Sequence, residues 1–291
     1  MAAADPIDQV LALDLAARGI DGFCRPGGAR AAARSLARGK RVILTTGFAV
    51  GPGMAETDGP PGAAVLGRAA RLLGKSVGYV TDDVAAPLME AALKALGEPV
   101  EMVVIPHTEA AAVARERIAR DRPSHLVAVE RPGRAADGRY WNARGESVGA
   151  WNGPLDALFL KPPRGLTTIG IGDGGNEIGM GNVRSRFLRQ GPLARKISSV
   201  VRVDHLVVAG VSNWGAYGVA AHLSILASQP LLHTAEDERR IVTACVEAGG
   251  VDGLTRRRVP TVDGLPLETH MAVVELLRTL VEGRIRGGSR S

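Results

Sequence analysis

The sequence has few aromatic residues, few cysteines and no long apolar run. Phe, Trp and Tyr make up 3% of the 291 residues, so aliphatic side chains and alanine must fill the core. The two cysteines, Cys24 and Cys245, form no CxxC pair and are expected to be reduced, buried thiols in a reducing compartment. No apolar stretch approaches the length of a membrane span, and the amino terminus carries acidic residues without an apolar signal-peptide core. The sequence therefore predicts a cytoplasmic protein with no membrane partner.

Lysine is scarce as well. It accounts for five of the 36 basic residues, so arginine supplies the remaining 31, and the formal net charge is +6. Such a balance raises nucleic acid as a partner. However, the arginines are scattered and the longest basic block covers only residues 256–258, which is typical of a solvated surface. We therefore expect no nucleic-acid partner, and the sequence leaves a homo-oligomer open.

The motifs of three large enzyme classes are missing. The chain has no GxSxG, HExxH or Walker A sequence, so a serine hydrolase, a zincin protease and a P-loop NTPase are unsupported. Residues 170–175 (GIGDGG) have the GxGxxG spacing of the dinucleotide-binding fingerprint, but one short match of this kind is a weak signal.

Short apolar runs alternate with amphipathic segments along the chain. This alternation predicts a Rossmann-like three-layer α/β/α fold with a mainly parallel sheet. We expect a single domain over residues 1–291, with an N-terminal helical segment over 1–40 that includes a helix over 7–17, and a frayed tail over 284–291. The predicted strands are 41–46, 76–81, 101–105, 125–129, 167–171 and 205–209. The other predicted helices are 62–73, 87–96, 109–119, 215–226, 235–248 and 270–282.

The unusual polar loops each follow the carboxyl end of a predicted strand, which is the edge where open α/β sheets bind ligands. In the loop GDGGNEIGMGN (172–182), Gly174 and Gly175 allow a sharp turn, and a helix beginning near Asn176 would point N–H groups at an anion. Asp173 and Glu177 lie on either side of Asn176. Because their carboxylates would repel a bound anion, we expect a cation between the acids and the anion. Mg²⁺ or Mn²⁺ would suit these oxygen ligands. Helix capping explains one of these polar residues but not the surrounding glycines.

A second loop, AETDGPPGA (55–63), carries two further acids. Glu56 and Asp58 are two residues apart and can face one point, and Pro60 and Pro61 stiffen the chain and suit a helix start. A rigid turn capped by Asp58 is the alternative interpretation. Two acids on a rigid turn are typical of a preorganised site.

Three more segments supply candidates for substrate contact. The loop 130–145 contains Glu130 and several arginines, of which Arg134 or Arg144 would bind a carboxylate or phosphate, unless the loop only forms surface ion pairs. In the segment 209–218, Asn213 is a candidate hydrogen-bonding partner for a ligand, and Trp214 either packs in the core or forms a wall. His270, at a predicted helix start, is either a structural partner or a catalytic group.

These loops closely resemble the D-glutamate cyclase-like C-terminal domain family. The resemblance rests on five motifs in the same order, at residues 56–63, 125–144, 170–181, 208–218 and 263–270. It implies conversion of D-glutamate to 5-oxo-D-proline with loss of water, and it implies that some relatives act as Mn²⁺-dependent phosphatases with an acidic pocket.

The sequence suggests how such a lyase would divide its work. We expect Glu56, Asp58, Asp173 and Glu177 to share proton transfer, with Asp58, Asp173 and Glu177 holding the divalent metal. Substrate contacts are expected from Gly174, Gly175, Asn176, Asn213, and either Arg134 or Arg144. A Mn²⁺-dependent phosphatase acting on a small phosphate ester and a non-catalytic small-molecule-binding domain remain as alternatives.

Overall fold

The computed structural model describes residues 5–106 and 110–288, and a six-stranded parallel sheet forms its centre. Within those residues the strands in chain order are β1 (Arg41–Thr46), β2 (Ala49–Gly51), β3 (Met54–Ala55), β4 (Ser76–Asp82), β5 (Met102–Ile105), β6 (His125–Val129), β7 (Thr167–Gly172), β8 (His205–Val208), β9 (Thr261–Val262) and β10 (Leu265–Pro266). The α-helices are α1 (Pro6–Leu11), α2 (Gly28–Arg38), α3 (Pro60–Leu72), α4 (Ala86–Ala95), α5 (Ala110–Asp121), α6 (Ala157–Leu160), α7 (Arg184–Phe187), α8 (Pro192–Ile197), α9 (Ser212–Ala227), α10 (Ala235–Glu247) and α11 (Leu267–Gly288). No helix in the described part of the chain is both long enough and apolar enough to cross a membrane.

The order of the strands is β5-β4-β1-β6-β7-β8, and each neighbouring pair is parallel. The chain moves outward from β1 through β4 to β5, and then returns to the other side of β1 with β6. The order therefore reverses between β1 and β6, and such a switch point opens a crevice at the carboxyl ends of the strands. The predicted Rossmann-like α/β fold with a parallel sheet is confirmed.

Alternate side chains of the buried strands pack against helices on opposite faces of the sheet. In β1, Val42 and Leu44 belong to the larger core that includes residues of α3 and α9, whereas Ile43 belongs to the core that contains Ile118 of α5 and Phe159 of α6. Aliphatic residues and alanines fill most of both cores, as the low aromatic content requires.

Several segments differ from the sequence-based boundaries, among them α11, which begins at Leu267 and not at the predicted residue 270. The helix expected over 7–17 ends at Leu11, because the carboxylate of Asp14 accepts hydrogen bonds from the backbone N–H groups of Arg18 (2.7 Å) and Gly19 (2.6 Å) and stabilises a turn. The tail expected to fray from residue 284 is helical to Gly288, and residues 289–291 lie outside the described part. Helix α9 begins at Ser212, three residues before its predicted start. Helix α5 covers 110–121, and residue 109 of its predicted range is also outside the described part.

A buried arginine fastens the edge of the sheet beside the switch point. Arg131 is fully buried, pairs with Asp82 at the end of β4, and donates hydrogen bonds to the carbonyls of Gly47 (2.9 Å) and Gly153 (2.6 Å). Burial alone would raise the pKa of Asp82, but the charge and hydrogen bonds of Arg131 outweigh burial and lower this pKa. The pair joins the ends of β4, β1 and β6, so it holds the frame on which the polar loops sit.

Replacing Arg131 by Met should lower the free energy of unfolding by roughly 3–5 kcal/mol, because Asp82 would be left buried and unpaired. Urea denaturation measures this loss. The exposed Arg139→Met variant is the control and should change stability by about 0.5 kcal/mol or less. Equal effects of the two substitutions would contradict the assigned role of the buried pair.

Candidate active site

Three carboxylates converge at the switch point. Glu130 directly follows β6, Asp173 directly follows β7, and Asp58 lies between β3 and α3. All three side chains are buried, and one oxygen from each lies within 4.8 Å of the others. Separate segments of sequence therefore bring three oxygen donors to one point.

The amino terminus of α9 holds Asp58 in place. Its Oδ2 accepts a hydrogen bond from the backbone N–H of Ser212 (2.9 Å), and its Oδ1 accepts from those of Asn213 (2.8 Å) and Gly59 (3.1 Å). Burial and the nearby Asp263 raise the pKa of Asp58, while these backbone donors lower it, and the net pKa is about 7. The helix dipole and the donors thus partly stabilise a charge that burial disfavours.

Glu130 occupies a strained backbone position. Its φ is +41°, a conformation that non-glycine residues seldom adopt. Its carbonyl accepts from Gly47 N–H (3.1 Å) and its own N–H donates to the carbonyl of Ile171 (3.1 Å), while its Oε2 accepts from the hydroxyl of Ser212 (2.5 Å). Burial, followed by repulsion from Asp173 and Glu177, raises the pKa of Glu130 well above its usual range. The hydrogen bonds to Gly47 and Ile171 therefore hold the Glu130 carboxyl at a position where its ionised form is disfavoured.

Three more buried acids extend the group. We define the acidic cluster as Glu56, Asp58, Glu130, Asp173, Glu177 and Asp263. The Oε1 of Glu177 accepts from Gly174 N–H (2.6 Å), while its Oε2 is buried without a hydrogen-bond partner. A side chain at Gly253 would collide with Glu56, since its Cβ would lie 1.9 Å from Oε2. The absence of a side chain at Gly253 therefore leaves the space that the Glu56 carboxylate occupies.

Arg18 brings a positive charge into the acidic cluster. Its guanidinium bridges Asp173 (Nη1–Oδ1, 2.7 Å) and Asp263, and only 15% of its side chain is exposed. Burial lowers its pKa, but the two aspartates outweigh that effect and raise the pKa well above the usual range. Arg18 keeps its charge, and it leaves most of the cluster uncompensated.

The donor set fits a divalent cation. Within the described residues, the second oxygens of Asp173, Glu177 and Asp263 are buried without hydrogen bonds. Burial is the largest cause that raises the pKa of Asp173 and of Glu177. Hard oxygen donors at this spacing suit Mg²⁺ or Mn²⁺, and such an ion would offset the uncompensated charge.

A small cavity opens onto the acidic cluster. Its volume is about 40 Å³, which is room for a few water molecules. Glu56, Glu130 and Glu177 line its interior, whereas Arg144 and Arg256 lie on its wall nearer to solvent. The cavity thus offers acids for an ammonium or metal ion. Arg256 is paired with Glu146, so Arg144, which donates to the carbonyl of Leu254 (2.5 Å), is the arginine left for a carboxylate or phosphate.

Several predicted substrate contacts are used by the protein itself. Arg134 donates to Asp156 through Nε (2.6 Å) and Nη2 (2.9 Å), and it does not line the cavity. Asn213 accepts from the N–H groups of Gly59 (2.9 Å) and Gly62 (2.8 Å) and donates to the carbonyl of Thr57 (3.1 Å), so it braces the Asp58 segment.

The glycine-rich loop also differs from its expected form. The expected helix near Asn176 is absent from this described segment. Residues 173–176 form bends, Glu177 forms an isolated antiparallel bridge with Pro132, and a 3₁₀-helix covers Met180–Asn182. Gly174 and Gly175 shape this turn, and Asn176 lines the cavity while donating to the carbonyl of Trp141 (2.7 Å). The helix whose amino terminus points N–H groups at a negative charge is α9, and that charge is the carboxylate of Asp58.

Trp214 and His270 contact each other in the interior. Trp214 is fully buried and donates to Nδ1 of His270 (3.0 Å), and Nε2 of the same histidine lies 3.2 Å from the carbonyl of Val262. Both ring nitrogens of His270 thus face protein partners.

Three residues of the acidic site, Glu130, Asp263 and Arg18, lie outside the set of catalytic and metal residues predicted from the sequence. From the sequence, Glu130 is noted in the loop 130–145 but is not predicted to be a metal ligand. It directly follows a strand, as Asp173 does, and this position is the signal that identifies it. Asp263 stands in the turn between β9 and β10 with φ +55° and lies within the matched motif 263–270. Arg18 follows no strand and carries no local signal. Its place depends on how the N-terminal turn packs.

A family model described as "D-glutamate cyclase-like, C-terminal" matches residues 7–278. The "D-glutamate cyclase, mitochondrial" of Homo sapiens is 36% identical over 241 residues, and the match covers 76% of this chain. The chain spans 39% of the length of that human protein.

Two solved structures of the exonuclease RecJ also align with the chain. One is bound to manganese and aligns with a TM-score of 0.36 at 13% identity, covering 75% of this chain and 42% of that chain. The other, from Thermus thermophilus in complex with Mn²⁺, has a TM-score of 0.35 at 12% identity and covers 88% of this chain and 37% of that chain. Likenesses this low carry no argument about the chain.

The metal-free protein should lose stability as the pH rises from about 4.5 to about 7. The native state holds protons on carboxyls with raised pKa values, such as Asp58 with a pKa of about 7, after the unfolded chain has released them. Replacing Glu130 by Gln should raise the free energy of unfolding at pH 7 by roughly 1–2 kcal/mol and flatten the pH dependence. Urea denaturation in EDTA measures both, with the exposed Glu247→Gln as control. Wild-type stability that rises across this interval would refute the prediction.

Proposed function

The chain belongs to the D-glutamate cyclase-like, C-terminal family, and we propose that it is a lyase that converts D-glutamate to 5-oxo-D-proline and water with a bound divalent metal ion. The observation that carries the proposal is a buried group of carboxylates with free oxygens, facing a cavity whose outer wall is cationic. The charges of a substrate with one ammonium and two carboxylates match both parts.

Asp58, Glu130 and Asp173 would hold the metal ion, for which Mn²⁺ or Mg²⁺ is the suitable choice. When bound, the ion supplies a positive charge that makes a carboxylate a better electrophile. Glu130 thereby takes the ligand position that the sequence suggested for Glu177. Arg18 fixes one oxygen of Asp173 and leaves the other free.

Glu56 and Glu177 are the proposed proton-transfer groups. Both line the cavity, both lie outside the three-residue metal set, and burial is the main cause that raises the pKa of each. Buried carboxyls with raised pKa values are suited to proton transfer. Glu56 would take a proton from the substrate ammonium, and Glu177 would protonate the departing oxygen.

The reaction balances without a further reactant. The amine nitrogen forms a bond to the γ-carboxylate carbon, and one C–O bond of that carboxylate breaks. The ammonium gives up two protons in total, and both end on the departing oxygen as water. Arg144 is the proposed partner of the α-carboxylate, which takes no part in the bond changes.

Replacing Glu177 by Gln should lower kcat for 5-oxoproline formation by about 10²- to 10⁴-fold, because Gln cannot donate the proton. Mn²⁺ affinity should change only a few-fold. Product formation from D-glutamate is followed by chromatography, with the exposed Glu268→Gln as the matched control. Unchanged turnover in Glu177→Gln would remove the assigned role.

Replacing Arg144 by Gln should raise KM for D-glutamate about tenfold with little change in kcat, because a contact to the non-reacting carboxylate is lost. Initial-rate kinetics give both constants. Arg134→Gln is the control and should leave KM unchanged, since Asp156 already engages that guanidinium. The opposite pattern would return the substrate clamp to Arg134.

A Mn²⁺-dependent phosphatase is the second candidate, because Arg144 on the cavity wall also suits a phosphate. A substrate screen with D-glutamate, L-glutamate and p-nitrophenyl phosphate separates the two functions. Phosphate release without 5-oxoproline would select the phosphatase and overturn the lyase.

A further inference from the structure

A groove at the amino ends of the strands, on the side of the sheet opposite to the acidic cavity, is lined by basic residues. It lies where β1, β6 and β7 begin, and its volume is about 740 Å³. We define the basic groove by its cationic lining, which consists of Arg38, Lys40, Arg41, Arg122 and Arg164. This volume lies within the range of about 300–1,000 Å³ that small-molecule sites occupy.

Among the residues that the structure describes, the cations of the basic groove have no acidic partner. Among the described residues that line it there is no aspartate or glutamate. Within the described part of the chain, Arg38, Lys40, Arg122 and Arg164 form no ion pair, whereas many arginines elsewhere on the surface pair with a nearby acid. Four unpaired charges around one depression repel each other, and an anion would relieve that repulsion.

The wall of the groove is fixed by hydrogen bonds rather than free to spread. The hydroxyl of Ser124 accepts from Lys40 N–H (3.0 Å) and donates to the carbonyl of Arg41 (2.8 Å). The guanidinium of Arg41 donates to the carbonyl of Asp121. Arg122 has a φ of +44°, a strained conformation for a residue with a side chain.

The remaining lining is apolar. Ile118 and Leu166 are buried beneath the groove, and Pro123 and Pro163 complete its floor and side. A purely inorganic anion would make no use of these side chains. Arginine binds phosphate through two parallel hydrogen bonds and also stacks on aromatic rings.

From this combination of unpaired cations and an apolar floor, we propose that the basic groove binds a phosphorylated organic molecule of the nucleotide type. The phosphates would lie among Arg38, Lys40, Arg122 and Arg164, and the base would pack on the floor formed by Ile118, Pro123 and Leu166. The site faces away from the acidic cluster, so it does not depend on the proposed lyase activity.

The test is calorimetric titration of the full chain with ATP in EDTA and low salt, which keeps metal out of the acidic cluster. We expect a Kd below about 1 mM. The double variant Arg38→Gln with Arg164→Gln should weaken ATP binding at least tenfold. The matched double variant Arg30→Gln with Arg34→Gln removes the same charge from the exposed side of α2 outside the groove and should leave the Kd within about twofold.

Tripolyphosphate and citrate are the comparison ligands. We expect both to bind at least tenfold more weakly than ATP, because neither can use the apolar floor. Equal binding of either ligand, equal loss in the two double variants, or absence of ATP binding would each overturn the proposal. None of these outcomes bears on 5-oxoproline formation, which is measured separately.

Discussion

Six carboxylates and one arginine share a buried space at the switch point of the sheet, and this imbalance of charge governs the site. Ionised groups in a protein interior are costly unless they are paired and hydrogen-bonded. Arg18 compensates Asp173 and Asp263, and the amino terminus of α9 partly compensates Asp58. The rest of the charge is met by raised pKa values in the metal-free protein and, in our account, by a divalent cation.

The fold is built to maintain that imbalance. The reversal of strand order beside β1 places the ends of β6 and β7 next to the segment that carries Asp58. Glu130 keeps a strained backbone because its N–H and carbonyl bond to the neighbouring strand ends. Arg131 joins the ends of β4, β1 and β6 beside the acidic cluster. The buried carboxylates and the strained backbone thus lower the stability of the fold, and the hydrogen bonds and ion pairs around the acidic cluster raise it. This division is common at active sites.

The sheet and the loops that follow β1, β6 and β7 could be predicted from the sequence, because apolar runs and turn residues that are close together in the chain determine where strands end. The sequence could not place Arg18, whose position depends on the packing of a turn about 150 residues away from Asp173 in the chain. Arg134 was expected to meet a ligand, but Asp156 lies within reach once the loop folds. Asn213 was expected in a loop, but α9 begins at Ser212 and turns its side chain to the backbone of the Asp58 segment.

Equilibrium dialysis of the metal-free chain against Mn²⁺ measures whether the acidic cluster holds a cation. We expect one tightly held ion per chain, with affinity reduced at least tenfold in Asp173→Asn and unchanged in Asp137→Asn, whose carboxylate lies outside the acidic cluster. Equal Mn²⁺ affinity in the wild type and in Asp173→Asn would contradict this expectation.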